Sequence, residues 1–107
     1  MISKITELSI AHYEGIISLW EKAGLPFKPK GRDAKESMAK EMQLPIVCYY
    51  GLFRDDVLIA VSIANYDGRR GWINRLAVDP DYQKQGIGKE MITYGERFLK
   101  EQGAVVI

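Results

Sequence analysis

The chain has 107 residues, enough for one domain, and its 15 Lys plus Arg against 14 Asp plus Glu leave a formal charge of +1. So even a balance supplies no bulk field for holding nucleic acid or an anionic membrane, and no apolar run approaches the ~18 residues that span a bilayer. A single Cys, Cys48, excludes an internal disulfide, and with a single His neither a multi-Cys nor a His-rich metal site is expected.

Hydrophobic residues at 47% and charged residues at 27% make a globular composition, not that of a disordered tail. No secretory signal pattern opens the chain. The expectation is a small, soluble, cytoplasmic domain over residues 1–107.

In chain order, residues 3–8 read as a short strand. Ser9 then offers an N-cap for a helix on which Tyr13, Ile16, Ile17, Trp20 and Ala23 recur at helical spacing. Gly24 stops it. The Pro- and Gly-bearing stretch 24–32 is a loop to a second helix. Asp33, with Glu36 three residues on, predicts a capping-box start, and Leu44-Pro45 predicts the end of that helix.

The middle of the chain is richer in β-branched and aromatic residues. Residues 46–53, 57–66 and 72–78 read as three strands of an antiparallel meander, joined by turns at Asp55-Asp56 and Asp67-Gly68. In the first of them Tyr49 and Tyr50 are adjacent and must face opposite sides of the sheet, one toward a cleft and one into the core. Cys48 reads as a small buried hydrophobe. Asp79-Pro80-Asp81 breaks the third strand. A helix is predicted from about Gly88 to Gln102, with Met91, Tyr94 and Phe98 on its apolar face and Gly103 as its stop. Residues 104–107 begin another strand, which a right-handed crossover places parallel to the preceding one. The order β-α-α-β-β-β-α-β predicts an α/β fold: a mixed, largely antiparallel sheet of about five strands with helices on both faces.

The chemistry concentrates in residues 76–89. There a strand ends, and a loop with Gly86 and Gly88 runs directly into a helix, flanked by Lys84 and Lys89. Helix N-termini present unsatisfied N–H groups with partial positive charge, and glycine lets an anion approach the backbone. That describes a pyrophosphate cradle. It is not a Walker loop, since Lys89-Glu90 follows Gly88, and it lacks the third glycine of a dinucleotide fingerprint.

The run Gln83-Lys84-Gln85-Gly86-Ile87-Gly88 matches the Gln/Arg-x-x-Gly-x-Gly/Ala signature of the GNAT family of N-acetyltransferases. The preceding Leu76-Ala77-Val78-Asp79-Pro80 and the following helix also resemble that family's main motif. The resemblance covers essentially the whole chain and is strongest over 72–107. It implies acetyl-CoA as co-substrate, no metal, and direct attack on the acetyl group by a primary amine of a small molecule or peptide.

In that family the backbone of Leu76, Ala77 and Val78 would pair with the pantetheine arm. The N–H groups of Lys84, Gln85, Gly86, Ile87, Gly88 and Lys89 would hold the pyrophosphate, with Gln83 shaping the loop. Val78 N–H would be the oxyanion contact. The linker between the first two helices often walls the acceptor site in that family, so Phe27, Lys28, Lys30 and Arg32 read either as a wall selecting an acidic or carboxylate-bearing acceptor or as a solvated basic loop, and Asn74 either as a group that orients substrate or water or as a polar residue on the solvated face. No catalytic base is assigned, because residues 72–78 include no carboxylate.

The resemblance also implies a further C-terminal part of about 40 residues, with a thiolate-protonating Tyr that has no counterpart here. Tyr94 reads as core packing. The short chain is therefore expected to be a fragment, or to be completed as a homodimer through the free edge of its last strand. The alternative to an active enzyme is a non-catalytic or incomplete CoA-binding or interaction domain.

Overall fold

In the computed structural model, which describes residues 3–26, 31 and 33–107, the elements follow the expected order. They are β1 (Ser3–Glu7), α1 (Tyr13–Ala23), α2 (Lys35–Met42), β2 (Val47–Arg54), β3 (Val57–Tyr66), β4 (Gly71–Val78) and α3 (Ile87–Gln102). The strands lie side by side in sequence order, all antiparallel. Two short turns make this possible. Asp55 and Asp56 both take positive φ, 52° and 68°, the mirror-image turn whose twist suits a two-residue hairpin. At the next turn one Asp67 carboxylate oxygen accepts the N–H groups of Arg69 and Arg70.

The strand alternation divides the interior into two layers. Val47, Tyr49, Val61, Ile63 and Ala77 face α1 and α2, where they meet Ile16, Leu19, Trp20 and Met38. Cys48, Tyr50, Leu52, Ala60 and Ala64 face α3 and meet Ile87, Met91 and Leu99. Helices thus cover both faces, as expected. Tyr49 and Tyr50 separate to opposite layers. Cys48 is buried, and burial, with Glu7 nearby, pushes its thiol up to about 12, so it packs as a neutral hydrophobe.

Three local readings are corrected. Ser9 caps a short 3₁₀ turn, Ile10–His12, which precedes α1. The N-cap of α2 is Ala34 and it makes no side-chain cap bond. Asp33 is not a cap because its carboxylate reaches Arg75 Nη1 at 2.7 Å, and a largely buried guanidinium competes for it with a full charge. Third, the fifth strand is present only as a parallel bridge, Arg70 to Val106, anchored by Gly71 N–H to Val106 O at 2.7 Å. Beyond Gly71 the outer edge of β4 has no strand partner among the described residues.

One irregularity positions everything that follows. Val61 pairs with Ala77 and Ile63 with Asn74, so the single residue Ser62 opposes both Arg75 and Leu76. This is a β-bulge, with Arg75 at φ 54° and Ser62 Oγ donating to Asn74 O at 3.1 Å. A regular pleat would send Asn74 and Arg75 to opposite faces. The bulge puts both on the α1–α2 side, while Ile73, Leu76 and Val78 pack toward α3.

Candidate active site

The loop from β4 to α3 is held from below. Asp79, 6% exposed, uses one carboxylate oxygen to accept Asp81 N–H at 2.9 Å and the other to accept Lys22 Nζ of α1 at 2.9 Å. Burial alone would raise the Asp79 carboxyl. The Asp81 N–H and the Lys22 ammonium overcome that and hold it below the ordinary range. From the other side, Arg54 at the end of β2 lies 5.1 Å from the Tyr82 ring centre and donates to Gln85 Oε1 at 3.1 Å. Gln83, itself exposed, donates from Nε2 to Val78 O at 3.2 Å, which ties the loop to the strand it leaves.

On this base the backbone makes two left-handed steps, Lys84 at φ 68° and Gly86 at φ 78°. Gly86 is also the N-cap of α3 and offers no side-chain cap. The N–H groups of Ile87, Gly88 and Lys89 therefore start a 16-residue helix without intrahelical partners. A Cβ at Gly86 would meet nothing within 4 Å, and one at Gly88 only Leu76 Cδ2 at 3.9 Å, so open space lies over this backbone. Lys84 and Lys89 are exposed beside it, whereas the Ile87 side chain is buried in the core and only its backbone is available.

The open edge of β4 adjoins this helix start. Asp79 N–H bonds Ile59 O, so Asp79 faces β3, and alternation turns the backbone polar groups of Val78 and Leu76 outward. Ala77, between them, spends its backbone on the pairing with Val61. Of the three strand residues expected to hold an extended ligand, two therefore present their N–H groups to the edge.

Across β4, on the α1–α2 side, the bulge opens a polar cavity of about 160 Å³. One wall is the Asp33–Arg75 ion pair, with the Arg75 guanidinium also lying 4.6 Å from the Trp20 ring centre. Glu41 of α2 also lines it, and its carboxylate accepts the Tyr49 hydroxyl. Burial first, and that bond second, hold the Tyr49 phenol well above its usual value, so it stays a neutral donor. Ile63 is part of the same lining, and Asn65 Nδ2 donates to Asn74 Oδ1 at 3.4 Å. Asn74, singled out from the sequence, belongs to this cavity. Phe27 and Arg32 lie outside the described residues.

Glu41, Tyr49, Asp33, Asn65 and Arg75 were not legible as a group, since they come from four different elements and the turn before α2, with no shared spacing. Besides Asn74, only the Tyr49–Tyr50 parity pointed here. Among the described residues no cluster of three or more His, Cys, Asp or Glu is placed to hold a metal ion, and no helix is long and apolar enough to cross a membrane.

The sequence profile of the acetyltransferase (GNAT) family matches residues 13–107. An acetyltransferase of Pectobacterium atrosepticum is 27% identical over 93 residues, covering 85% of this chain and 63% of its own. One of Sodalis glossinidius is 28% identical with the same coverage, so the chain spans less than two thirds of these relatives. Among solved structures, the PaiA N-acetyltransferase of Thermoplasma acidophilum in complex with coenzyme A superposes with a TM-score of 0.82 at 22% identity. That match covers 96% of this chain and 75% of the other. Glucosamine-6-phosphate N-acetyltransferase of Arabidopsis thaliana gives 0.83 at 16% identity, covering 100% and 81%.

Proposed function

The chain belongs to the acetyltransferase (GNAT) family, and on that premise we propose that it moves an acetyl group from acetyl-CoA to a primary amine. The observation that carries the reading is the uncapped start of α3 behind Lys84 and Gly86, set against the open edge of β4. The residues fit the donor. Nothing stands over Gly86, the first-turn N–H groups are unpaired within the helix, and two lysines flank them.

The N–H groups of Ile87, Gly88 and Lys89 bind the pyrophosphate, assisted by the dipole of α3. Leu76 and Val78 hold the pantetheine arm along the strand edge, as an extended peptide is held in strand addition. Acetyl-CoA supplies an acyl group already activated as a thioester. Val78 lies nearest the helix start, so the arm passes it first, and Leu76 N–H, farther along the edge and beside the bulge, is the donor this reading gives to negative charge on the acyl oxygen in place of Val78. The bulge then orients Asn74 and Arg75 toward the opposite side, where the cavity receives the amine. In the reaction the amine nitrogen forms the new C–N bond, the C–S bond breaks, and the proton lost by the amine balances the thiolate released.

The test is calorimetric titration with acetyl-CoA, followed by thiol release with a panel of primary amines. Micromolar binding that Gly86→Glu abolishes supports the donor site, because the substitution adds bulk and a negative charge at the pyrophosphate. Unchanged affinity in that variant refutes it. Binding without thiol release from any amine supports the second reading, a CoA-binding domain without turnover. That reading is favoured by a β4 that carries no carboxylate.

A further inference from the structure

The cavity beside the bulge has a definite electrostatic character. Two carboxylates and one guanidinium line it. The guanidinium is already engaged, bonded to Asp33 at 2.7 Å and stacked on Trp20. The Glu41 carboxylate has a neutral partner, the Tyr49 hydroxyl, and no cation pairs with it among the described residues. Among the described residues one negative charge is therefore left facing the cavity, in surroundings less polar than water because Tyr49 and Ile63 are both buried. The methyl groups of Ile63 suit an alkyl chain. Asn65 and Asn74, which share one hydrogen bond, keep further amide donors and acceptors in reserve. At ~30 Å³ per water, the volume of about 160 Å³ admits the end of a small molecule and not a folded peptide.

We infer that this cavity is an acceptor subsite for a positively charged group on a short alkyl chain, with Glu41 as its counter-charge. The inference deepens the acetyltransferase reading and rests on it for the word acceptor. It names the class of amine: one that carries a second cation beside the reacting nitrogen, such as a diamine, in preference to an amino acid of the same length. It runs opposite to one of the two readings of the basic stretch 27–32, selection of a carboxylate-bearing acceptor, and leaves the other, a solvated basic loop. A carboxylate entering the cavity would meet Glu41, and Arg75, the one cation lining it among the described residues, is already bonded to Asp33.

Two probes of matched length separate these outcomes, 1,4-diaminobutane and 4-aminobutanoate. Each is titrated into the ¹⁵N-labelled chain while the backbone signals of Glu41, Asn65 and Asn74 are followed. The expected result is saturable shifts with the diamine, at least tenfold weaker binding of 4-aminobutanoate, and at least tenfold weaker diamine binding by Glu41→Gln. Glutamine keeps the shape and an acceptor for Tyr49 while removing the charge, so the variant is expected to fold. Equal or tighter binding of 4-aminobutanoate, no pocket shifts with the diamine, or unchanged binding by Glu41→Gln overturns the inference. Acetyl-CoA is titrated separately against the signals of Gly86, Gly88 and Lys89. If those stay still while the cavity responds to the diamine, the donor reading fails and the cation site stands. The reverse pattern removes the cation site alone.

Discussion

A single methyl group on α3 tests how closely that helix sits on the sheet. An ideal Cβ at Gly95 would fall 2.9 Å from Ile73 Cδ1 and 3.1 Å from its Cγ1, with the Tyr50 hydroxyl oxygen closer still. Ordinary carbon contacts lie at ~3.5–4.0 Å, so either the helix lifts or Tyr50 moves. Tyr50 has little room to move: it is fully buried, sits on a central strand, and its ring centre is 4.9 Å from that of Tyr94. Overpacking of this kind costs ~1–3 kcal/mol, and the severity of the contact places Gly95→Ala in the upper part of that range. The better helix propensity of alanine offsets ~1 kcal/mol. The net expectation is a loss of about 1–2 kcal/mol, or a Tm lower by roughly 5–15 °C for a domain of this size. Urea melts with an unchanged m-value, read beside thermal melts, measure it. Gly88→Ala is the control on the same helix. Its nearest neighbour would be Leu76 Cδ2 at 3.9 Å, so stability should hold or rise. A Gly95→Ala chain as stable as the original would refute the close packing of α3, and with it the position of the helix start relative to β4.

Two further outcomes follow from the buried charges. Asp33→Ala leaves the Arg75 guanidinium, 15% exposed, without its 2.7 Å partner; it should destabilise by on the order of 3 kcal/mol, and adding Arg75→Met should recover part of the loss in the same urea assay. Asp79 has a carboxyl held below its unfolded value. Its contribution is therefore fully present above pH ~4, near the unfolded carboxyl pKa, and is lost as pH falls through the lower folded value. Melts from pH 6 to pH 2 should show this fall in stability, and Asp79→Asn should flatten it. A fall of the same size in Asp79→Asn would assign the acid sensitivity to other carboxylates.

Local features of the chain were sufficient for most of the architecture. The period-2 runs that became β2, β3 and β4, the Asp55-Asp56 and Asp67-Gly68 turns, and the glycine stops at Gly24 and Gly103 each involve residues within a few positions of one another. The Gly86–Gly88 helix start was legible for the same reason: a left-handed step and an uncapped first turn are written in five or six consecutive residues. Even the split of Tyr49 from Tyr50 follows from strand parity.

The other half of the candidate site depended on contacts between distant segments. Asp33 carries a local signal for capping α2, but Arg75 lies 42 positions later, and a guanidinium with little access to water outbids a backbone N–H for the carboxylate. Glu41 reads as a surface residue of a short helix until Tyr49 is brought against it by the packing of α2 on β2. The bulge at Arg75 and Leu76 is set by how β4 registers on β3, which no window along β4 alone contains, and it reverses the face on which Arg75 appears. Backbone conformation is decided by neighbours in sequence, so the loop from β4 into the start of α3 could be read directly. Charge pairing and cavity shape are decided by which side chains desolvate one another, and only the folded chain determines that.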